Sequence, residues 1–417
     1  MGTLPILTDH FLVGRITPPQ SRGRLLNITG SMLSVINVCT NSIDDLDVAR
    51  EEILAQLKDK KFLKNTVGIV GCHSDYIEEG VIGALHEALQ FDIIGCGVFG
   101  TATNGGGGLE QLVLTILTSD DITFSTVLSD TITKGSVDGC IEQAYAAGKS
   151  ALGGDPALIF MFGPIMADVV GDQMLEILDR VSGGVSIFGT LANDTSAGYT
   201  KSFVFKNGEY DLRKMALLMM HGNINPRFHV TAIASRNIQQ NNAVVTGADG
   251  YLVTSINDIP VVDYLKSLGI ITSQLSAVTM IPFLVDFGDG TNPVAYNMYD
   301  ISADGAHCGG AIPKGATITF AEVDMQSVME TAETTLRSAL ADVDKNGGNG
   351  MFAIPCITRP LVLSPNVEAE ITKSLELVGN KIPFTLVYSG GEICPLYNRQ
   401  HDIVNRFHNL TYTLVVF

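Results

Sequence analysis

A short string that occurs twice constrains the fold of this chain of 417 residues more than any other feature. "VFGTATNG" begins at Val98 and "IFGTLAND" begins at Ile187, so Phe, Gly, Thr and Asn recur at the same offsets. Each copy lies at the end of an apolar run typical of a buried strand. We therefore expect a repeated structural unit, with the strands before Gly100 and Gly189 in equivalent places.

The order of elements around these strings recurs a third time near the C-terminus. In each unit the periodicity predicts helix, strand, helix, strand, glycine loop and returning strand. The strands of the third unit are "MFAIPC", "IPFTLVYSGGEI" and "LTYTLVVF". Strand–helix–strand passages favour parallel crossovers, and the glycine loops let the last strand return antiparallel. The sequence predicts an α/β protein in two domains, with mixed sheets built from repeated βαβ-plus-returning-strand units.

The segment near residues 231–324 follows a different pattern. Short strands separated by turns, including a "PKG" turn, predict a connecting sheet here. We place the domain boundary at the glycines near residue 250. The predicted division is an N-terminal extension at 1–39, a first domain with two units at 40–249, and a second domain with the connecting sheet and third unit at 250–417.

Two helix starts are predicted from capping signals. "SDYIEEGVIGALHEAL" is predicted as one helix, with Asp75 and Glu78 forming a capping box at its start. Ser364 and Pro365 are predicted as N-cap and first residue of the helix that contains "NVEAEITKSLELV".

Composition excludes several classes of protein. The formal charge of −18 disfavours nucleic-acid binding. No apolar run reaches the roughly 18 residues of a membrane helix, and the start lacks a secretory pattern. Seven cysteines without a CxxC pair predict free thiols in a reducing compartment, so we expect a cytoplasmic protein.

Several longer stretches resemble the FIST proteins, whose N- and C-terminal FIST domains occur in signal transduction. The stretches run in family order from about residue 40 to the end: "SIFGTLAND", "ADGYLVTSINDIPVVDYL", "ISADGAHCGGAIPKGATITF", "FAIPCITRPLVL", "VYSGGEICP" and "NRFHNLTYTLVVF". The resemblance implies a sensory module that binds small ligands such as amino acids, and haem-binding members are also described. The sequence contains no kinase, phosphatase or DNA-binding output segment, so any signal is expected to pass to a separate protein.

The first loop departs from the family pattern. A GCST-x-GEI-like string is usual there, whereas this chain has "GCGVFGTATN", with Gly97, Val98 and Thr101 in place of the expected hydroxyls and acid. This removes the basis for placing a ligand at the first loop. The "GGEI" around Glu392 keeps the pattern in the third unit.

Three other motifs have ordinary explanations. "GCGVFG" at 95–100 is a GxGxxG, but no helix is predicted to follow, as a dinucleotide site requires. "DVDKNG" at 342–347 begins like a calcium loop, yet Ala353 stands where a bidentate Glu is needed, so we predict a polar turn. The eight histidines show no metal-ligand spacing, and no metal site is predicted.

The richest polar chemistry lies in "CITR" and in "GGEICP…NRFHN". These residues fit a thiol–imidazole hydrolase, loop ordering with Arg406 paired to Glu392, or ligand contact. They are Cys356, Glu392, Cys394, Asn405, Arg406 and His408.

Polar residues at the repeated strand-end loops suit tight turns and also ligand binding, because α/β folds place sites at the carboxyl ends of strands. A small acid or amino acid is expected to need a cation in so acidic a chain, and Arg359 or Arg406 is the predicted anchor. The predicted ligand-binding residues are Arg359, Glu392, Arg406, Cys356, Thr190, Asn193 and Asp194.

The sequence leaves three functions open. The first is a sensory protein that binds a small molecule in signal transduction. The second is a thiol-dependent hydrolase or transferase, and the third is an interaction scaffold. A haem-binding gas sensor is a variant of the first. No catalytic residue or cofactor is assigned.

Overall fold

The computed structural model describes residues 33–196, 198–271 and 280–417. Most of the predicted N-terminal extension, residues 1–32, lies outside the described residues. The first unit, residues 33–119, contains β1 (Ser34–Thr40), α1 (Leu46–Leu57), β2 (Asn65–Cys72), α2 (Ser74–Glu78), α3 (Val81–Leu89), β3 (Asp92–Gly97), β4 (Thr101–Thr103), β5 (Gly106–Gly108) and β6 (Leu112–Ser119). Strand β1 therefore begins inside the segment predicted as an extension.

The second unit, residues 123–221, follows the same order of elements. It contains β7 (Thr123–Leu128), α4 (Val137–Leu152), β8 (Leu158–Gly163), α5 (Gly171–Ser182), β9 (Ile187–Leu191), β10 (Val204–Lys206), β11 (Glu209–Asp211) and β12 (Ala216–His221).

The third unit is interrupted by the connecting sheet. Its first strand is β13 (Arg227–Thr231). The connecting segment then forms β14 (Ile238–Asp249), β15 (Leu252–Ile256), β16 (Ile259–Pro260), α6 (Val261–Ser267), β17 (Ile281–Asp286), β18 (Val294–Ser302), β19 (Gly305–Cys308) and β20 (Thr317–Ala321). The third unit resumes with α7 (Met325–Asn346), β21 (Met351–Pro355), α8 (Thr358–Val362), α9 (Ala369–Val378), β22 (Phe384–Val387), β23 (Glu392–Tyr397), β24 (Ile403–His408) and β25 (Tyr412–Val416).

The mixed α/β class predicted from the sequence is confirmed, and three of the sheets share one strand order. Each begins with the first, last, second and third long strand of its own unit: β1-β6-β2-β3, β7-β12-β8-β9 and β13-β25-β21-β22. In every sheet the second and third strands are parallel, and the last strand returns antiparallel between the first and second. A helical connection joins the two parallel strands in each case, and such connections are right-handed in nearly all proteins.

Each sheet is completed by a hairpin from a different unit. The β4–β5 hairpin of the first unit pairs with β22 of the third. The β10–β11 hairpin of the second unit pairs with β3 of the first, and the β23–β24 hairpin of the third unit pairs with β9 of the second. The exchange is cyclic, so no unit has a complete sheet without one of the others.

Large and small side chains alternate where the exchanged hairpins are added. At one equivalent position in the three sheets, the hairpin residue and the residue of the third strand that it faces differ in size. The pairs are Phe205 with Gly95, Ile393 with Gly189, and Ala102 with Leu386. A glycine therefore faces a bulky residue, and a leucine faces an alanine. Complementary volumes of this kind keep an interior at close-packed density.

The three sheets pack around one core, with helices outside. Phe160 of β8 lies in this core, with ring centroids 5.5 Å from Phe188 of its own unit and 5.7 Å from Phe352 of the third unit. Helices α1 to α3 cover the outer face of the first sheet, α4 and α5 that of the second, and α7 and α9 that of the third. Among the described helices, none is both long and apolar enough to cross a membrane.

The structure corrects the residue correspondence drawn from the repeated string. Gly189 of β9 pairs with Met161 of β8. Its counterpart in the first unit is Gly95 of β3, which pairs with Val70 of β2. Gly100 instead follows β3, outside any strand. A Cβ on Gly189 would lie 2.0 Å from the Met161 carbonyl oxygen, so the two backbones approach each other closely at this position. At Gly100 the nearest atom would be the Leu109 side chain, at 3.0 Å.

Both predicted helix starts are wrong in detail. The helix expected from residue 74 is divided, because Gly80 adopts φ of +82° between α2 and α3. The side chain of His73, not an Asp75–Glu78 capping box, caps α2. Helix α9 begins at Ala369, because the chain after α8 forms turns rather than continuing from Ser364 as a helix.

Candidate functional site

Asn193 joins the strand-end loops of all three units. Its backbone N–H donates to the Gly97 carbonyl at 2.9 Å, and its Oδ1 accepts from the Phe99 N–H at 2.6 Å. Its Nδ2 donates to the Tyr388 carbonyl at 2.8 Å. The side chain is fully buried, so these bonds hold the carboxyl ends of β3, β9 and β22 together.

A buried polar cluster lies beside this joint, and we name it the Glu392 cluster. Its members are Thr190, Cys356, Ser389, Glu392 and Thr411, all nearly inaccessible to solvent. Thr190 Oγ1 donates to Ser389 Oγ at 2.8 Å, and Thr411 Oγ1 donates to Glu392 Oε2 at 2.8 Å. The structure thus brings together three residues that the sequence nominated: Thr190, Cys356 and Glu392.

Burial controls the protonation of this cluster. It raises the pKa of Glu392 to about 8, against the opposing effect of the Thr411 hydrogen bonds. Burial also raises the pKa of the Cys356 thiol well above its usual range, and the neighbouring Glu392 raises it further. At neutral pH both groups are therefore held in their uncharged forms.

This environment does not activate Cys356 as a nucleophile. A reactive thiol needs a lowered pKa or a base beside it. His408 is the imidazole that the sequence pairs with the thiol, but its Nε2 contacts the Cys394 carbonyl oxygen at 3.0 Å. Burial lowers the pKa of His408 to about 4, so the imidazole is neutral at pH 7. Its Nε2 is already engaged with the Cys394 carbonyl oxygen.

Arg359 lies in a separate buried cluster. Its Nε and Nη2 contact Glu370 Oε1 at 2.8 and 2.6 Å, and Nη1 donates to the Leu410 carbonyl. The guanidinium also lies over the Tyr412 ring. The positive charge of Arg359 is thus compensated within the protein, and the side chain is only 1% exposed.

Arg406 is directed away from the Glu392 cluster. It forms an ion pair with Asp289 of the connecting segment and lies 4.4 Å from the centroid of the Phe287 ring. The alternative pairing of Arg406 with Glu392 is therefore not formed. Glu392 is bonded instead by Thr411, which lies between β24 and β25.

Asp194 shapes the loop that follows β9. Its Oδ1 accepts from the backbone and hydroxyl of Ser196, and its Oδ2 accepts from the Lys201 N–H at 2.6 Å. This holds Tyr199, at φ of 54°, next to the Glu392 cluster. Burial raises the pKa of Tyr199, and the proximity of Cys356 and Asp194 raises it further.

A cleft of about 680 Å³ opens over these strand ends. We call it the strand-end cleft, and the lining residues used below are Ile165, Tyr199, Phe203, Tyr210, Asp211 and Arg213. Ile165 packs directly on Gly390, where a Cβ would lie 2.5 Å from its Cδ1. Ile165, which forms the floor of the cleft, therefore packs on a residue that is two positions before Glu392 in the sequence.

The lining of the cleft contains two aromatic rings, a carboxylate and a guanidinium group. Phe203 and Tyr210 meet edge to face, with ring centroids 4.9 Å apart. Arg213 donates from Nε to the Ile132 carbonyl and from Nη2 to both Asp168 oxygens, at 2.9 Å each. Its Nη1 has no hydrogen bond to a described residue.

Most residues of this cleft carry no recognisable signal in the sequence. Tyr199, Phe203, Tyr210 and Arg213 lie in the segment after β9 that carries no motif. A signal was present in Asp194, whose carboxylate organises the loop that presents Tyr199. Ser389 and Thr411 were also missed, since each gains its role only through the pairing of distant strands.

The alternative metal and nucleotide sites are not formed in the described part of the chain. No group of three or more His, Cys, Asp or Glu side chains is placed there to hold a metal ion. The segment 342–346 continues helix α7 instead of forming the predicted polar turn, and Asp342 forms an ion pair with Arg227. The GxGxxG glycines lead into β4 and not into a helix.

Comparisons with known proteins identify the family. The FIST N domain matches residues 66–259, and the FIST C domain matches residues 262–395. Curated proteins give no match. Among solved structures, the chain is similar to one described as a cyanuric acid hydrolase from A. caulinodans, at 8% identity and a TM-score of 0.35, covering 93% of this chain and 99% of that one.

FIST domains are associated with sensory signal transduction and with binding of small ligands. The two matches follow one another in the order that the sequence resemblance implies, and together they extend over most of the chain. The chain belongs to the FIST family, with an N domain followed by a C domain.

Proposed function

We propose that this protein is an intracellular sensory protein that binds an amino acid or a small organic acid in the strand-end cleft. The observation that carries the proposal is the position of the cleft, at the carboxyl ends of parallel strands β8 and β9, where α/β folds bind ligands. Its volume suits a small molecule. Asn193, which joins the three units, precedes Asp194, whose carboxylate holds the loop that carries Tyr199 of the cleft.

The lining of the cleft fits an amphipathic acid. Arg213 offers its Nη1 to a carboxylate, in an orientation already fixed by its bonds to Asp168 and Ile132. Asp211 lies beside it and can accept from an ammonium group. Phe203 and Tyr210 provide an apolar wall for a side chain. An aromatic amino acid such as L-phenylalanine uses all three features.

The residues nominated by sequence have distinct places in this proposal. Asn193 and Asp194 hold the loops that form the cleft, and Thr190, Cys356 and Glu392 lie beneath its floor. Arg359 and Arg406 already form ion pairs with Glu370 and Asp289, so we assign the anchoring role to Arg213 instead. The predicted anchoring by Arg359 or Arg406 would require one of these pairs to break.

Two further parts of the proposal concern context. All seven cysteines are free, as expected of a protein in a reducing compartment. The predicted division into domains at residue 250 stays a proposal, and the exchanged β23–β24 hairpin ties the second domain to β9 of the first. A separate signalling protein is proposed to receive the output.

The test is thermal unfolding across a panel of L-amino acids and small carboxylic acids. A ligand at about 100 times its dissociation constant adds about 2.7 kcal/mol to the free energy of unfolding, which raises the melting temperature by several degrees. Tyr210→Ser removes part of the aromatic wall and should abolish the shift. Tyr299→Ser is the matched control, since Tyr299 is equally exposed but lies on the connecting sheet.

The proposal has two failing outcomes. In the first, no acid of the panel changes the melting temperature of the wild type. In the second, Tyr210→Ser responds as strongly as Tyr299→Ser, which would place the ligand elsewhere.

A further inference from the structure

Glu392 occupies a place at which the fold does not require an acid. In each exchanged hairpin one residue faces the third strand of the neighbouring unit at the same register. These pairs are Glu392 with Thr190, Val204 with Cys96, and Thr101 with Val387. Because a valine and a threonine fill the equivalent places, the carboxyl group of Glu392 is not needed for packing.

The carboxyl group is costly where it lies. Glu392 is fully buried, and its Oε1 has no hydrogen-bond partner among the described residues. Its Oε2 accepts from the backbone N–H and the hydroxyl of Thr411. A buried carboxylate with one bare oxygen is strongly disfavoured, whereas the neutral acid is tolerated. The closed cluster therefore requires a protonated Glu392.

The titratable groups nearest to Glu392 are thiols and a phenol. Cys356 lies at the end of β21, and Cys394 lies on β23 with Glu392. Tyr199, in the loop after β9, is near enough to Cys356 for the thiol to affect the pKa of the phenol. Burial raises the pKa of each of these three groups above its usual range. None of them gains or loses a charge between pH 5 and pH 8.

The neighbouring imidazole and guanidinium groups also keep the same charge between pH 5 and pH 8. His408, the cross-strand partner of Glu392 on β24, has a pKa of about 4 and stays neutral. Arg359 on α8 is the nearest cation, and its charge is compensated by Glu370 of α9. Glu392 is thus the group of this cluster whose protonation changes near neutral pH.

Two residues of the cleft lining lie next to the Glu392 cluster. Ile165 and Tyr199 both line the cleft. Ile165 packs on Gly390, and Tyr199 lies near Cys356. We propose that Glu392 is a proton switch next to the strand-end cleft: the packing of the Glu392 cluster, which we call the junction, stays closed while this carboxyl is protonated and opens when it loses its proton to water. The inference rests on the proposed function only in giving the opening a purpose, which is to change the cleft lining at Ile165 and Tyr199 and with it the affinity for the ligand.

The direction of the pH effect follows from linkage. In the open junction Glu392 titrates like a glutamate in water, near pH 4.3, and in the closed junction it titrates near pH 8. Between these values the closed form holds a proton that the open form has lost. Opening therefore becomes easier by up to about tenfold per pH unit, and levels off above pH 8, where both forms are ionised.

The experiment measures the exposure of Cys356 without any ligand. The full-length protein is treated with N-ethylmaleimide from pH 5.5 to pH 9, and the labelling of each cysteine is followed by peptide mass spectrometry. Cys96, which is buried in β3 of the first unit, reports global unfolding. We expect the ratio of the Cys356 rate to the Cys96 rate to rise at least tenfold up to pH 8 and then to level off.

Glu392→Gln removes the ionisation and keeps the shape, so its ratio is expected to stay flat. Glu392→Thr copies the residue found at this place in the first unit and serves if the glutamine variant does not fold. A flat ratio in the wild type, or an equal rise in the variants, overturns the proposed switch. Either result leaves the ligand panel unaffected, and a failed panel leaves this labelling test in force.

Discussion

Asn405 Oδ1 accepts a hydrogen bond from the backbone N–H of Ile187, at 2.8 Å. Asn405 lies on the exchanged hairpin of the third unit, and Ile187 is the first residue of β9 in the second unit. The same bond joins Asn207 to Ile93 and Asn104 to Phe384, at 2.7 Å in both cases. An asparagine in each hairpin thus docks it onto the strand that it extends.

Asn405→Ala should lower the free energy of unfolding by about 2–3 kcal/mol, because it leaves the Ile187 N–H and the Val185 carbonyl without their partner. Asn380→Ala is the control, since Asn380 is exposed and lies in a loop. Urea unfolding measures both. Equal stability of the two variants would show that the hairpin is held by the strand pairing alone.

Gly189→Ala should destabilise the protein by about 2–3 kcal/mol, through overpacking against a neighbouring strand. The added methyl group would lie 2.0 Å from the Met161 carbonyl oxygen, which cannot move without breaking the β8–β9 pairing. Gly139→Ala in helix α4 meets no atom within 4 Å and should raise stability slightly. Thermal unfolding of the pair decides the matter, and a neutral Gly189→Ala would contradict the close approach.

Glu370→Gln should cost about 3–5 kcal/mol, because it leaves the Arg359 guanidinium buried without its counter-charge. The double variant Arg359→Met with Glu370→Gln should lose less than the sum of the two single variants. Chemical denaturation of all four proteins completes the cycle. Additive losses would mean that the two side chains do not stabilise each other, and would leave Arg359 free for the anchoring role.

The stability of the wild type should depend on pH through Glu392. The folded protein keeps this carboxyl protonated to about pH 8, whereas the unfolded chain ionises it near pH 4.3. The folded state therefore binds more protons in this window, and the free energy of unfolding falls as the pH rises through it, by at most roughly 4–5 kcal/mol. Above pH 8 this contribution is constant.

The measurement is urea unfolding of wild type and Glu392→Gln at pH 5.5, 7 and 8.5. The difference between the two proteins should move in favour of Glu392→Gln as the pH rises. A constant difference across the three pH values would contradict the raised pKa of Glu392.

The order of the elements could be predicted because each helix and strand has its own periodicity. The exchange of hairpins could not, because the choice of partner strand depends on contacts between segments far apart in sequence. The pairing of Thr101 with Val387 is one such contact. The repeated string predicts the wrong equivalent residue for Gly189. Gly189 and Gly95 occupy the same position in their sheets, whereas Gly189 and Gly100 have only similar flanking sequences.

The candidate site was predictable in part for the same reason. Glu392, Cys356 and Thr190 could be nominated, because each lies at or beside the end of a strand, next to a recognisable loop. The partner of Arg406 could not, since Asp289 belongs to the connecting segment and is brought near only by tertiary packing. Tyr199 carries no signal in sequence, because its place depends on hydrogen bonds that Asp194 makes with the loop around it.

Native mass spectrometry of gently purified protein shows whether a small molecule occupies the strand-end cleft. We expect a mass above that of the polypeptide, which returns to the polypeptide mass on denaturation. This excess should be present in Tyr299→Ser and absent from Tyr210→Ser. The same excess in Tyr210→Ser, or none in any of the three proteins incubated with the acid panel, would contradict binding in this cleft.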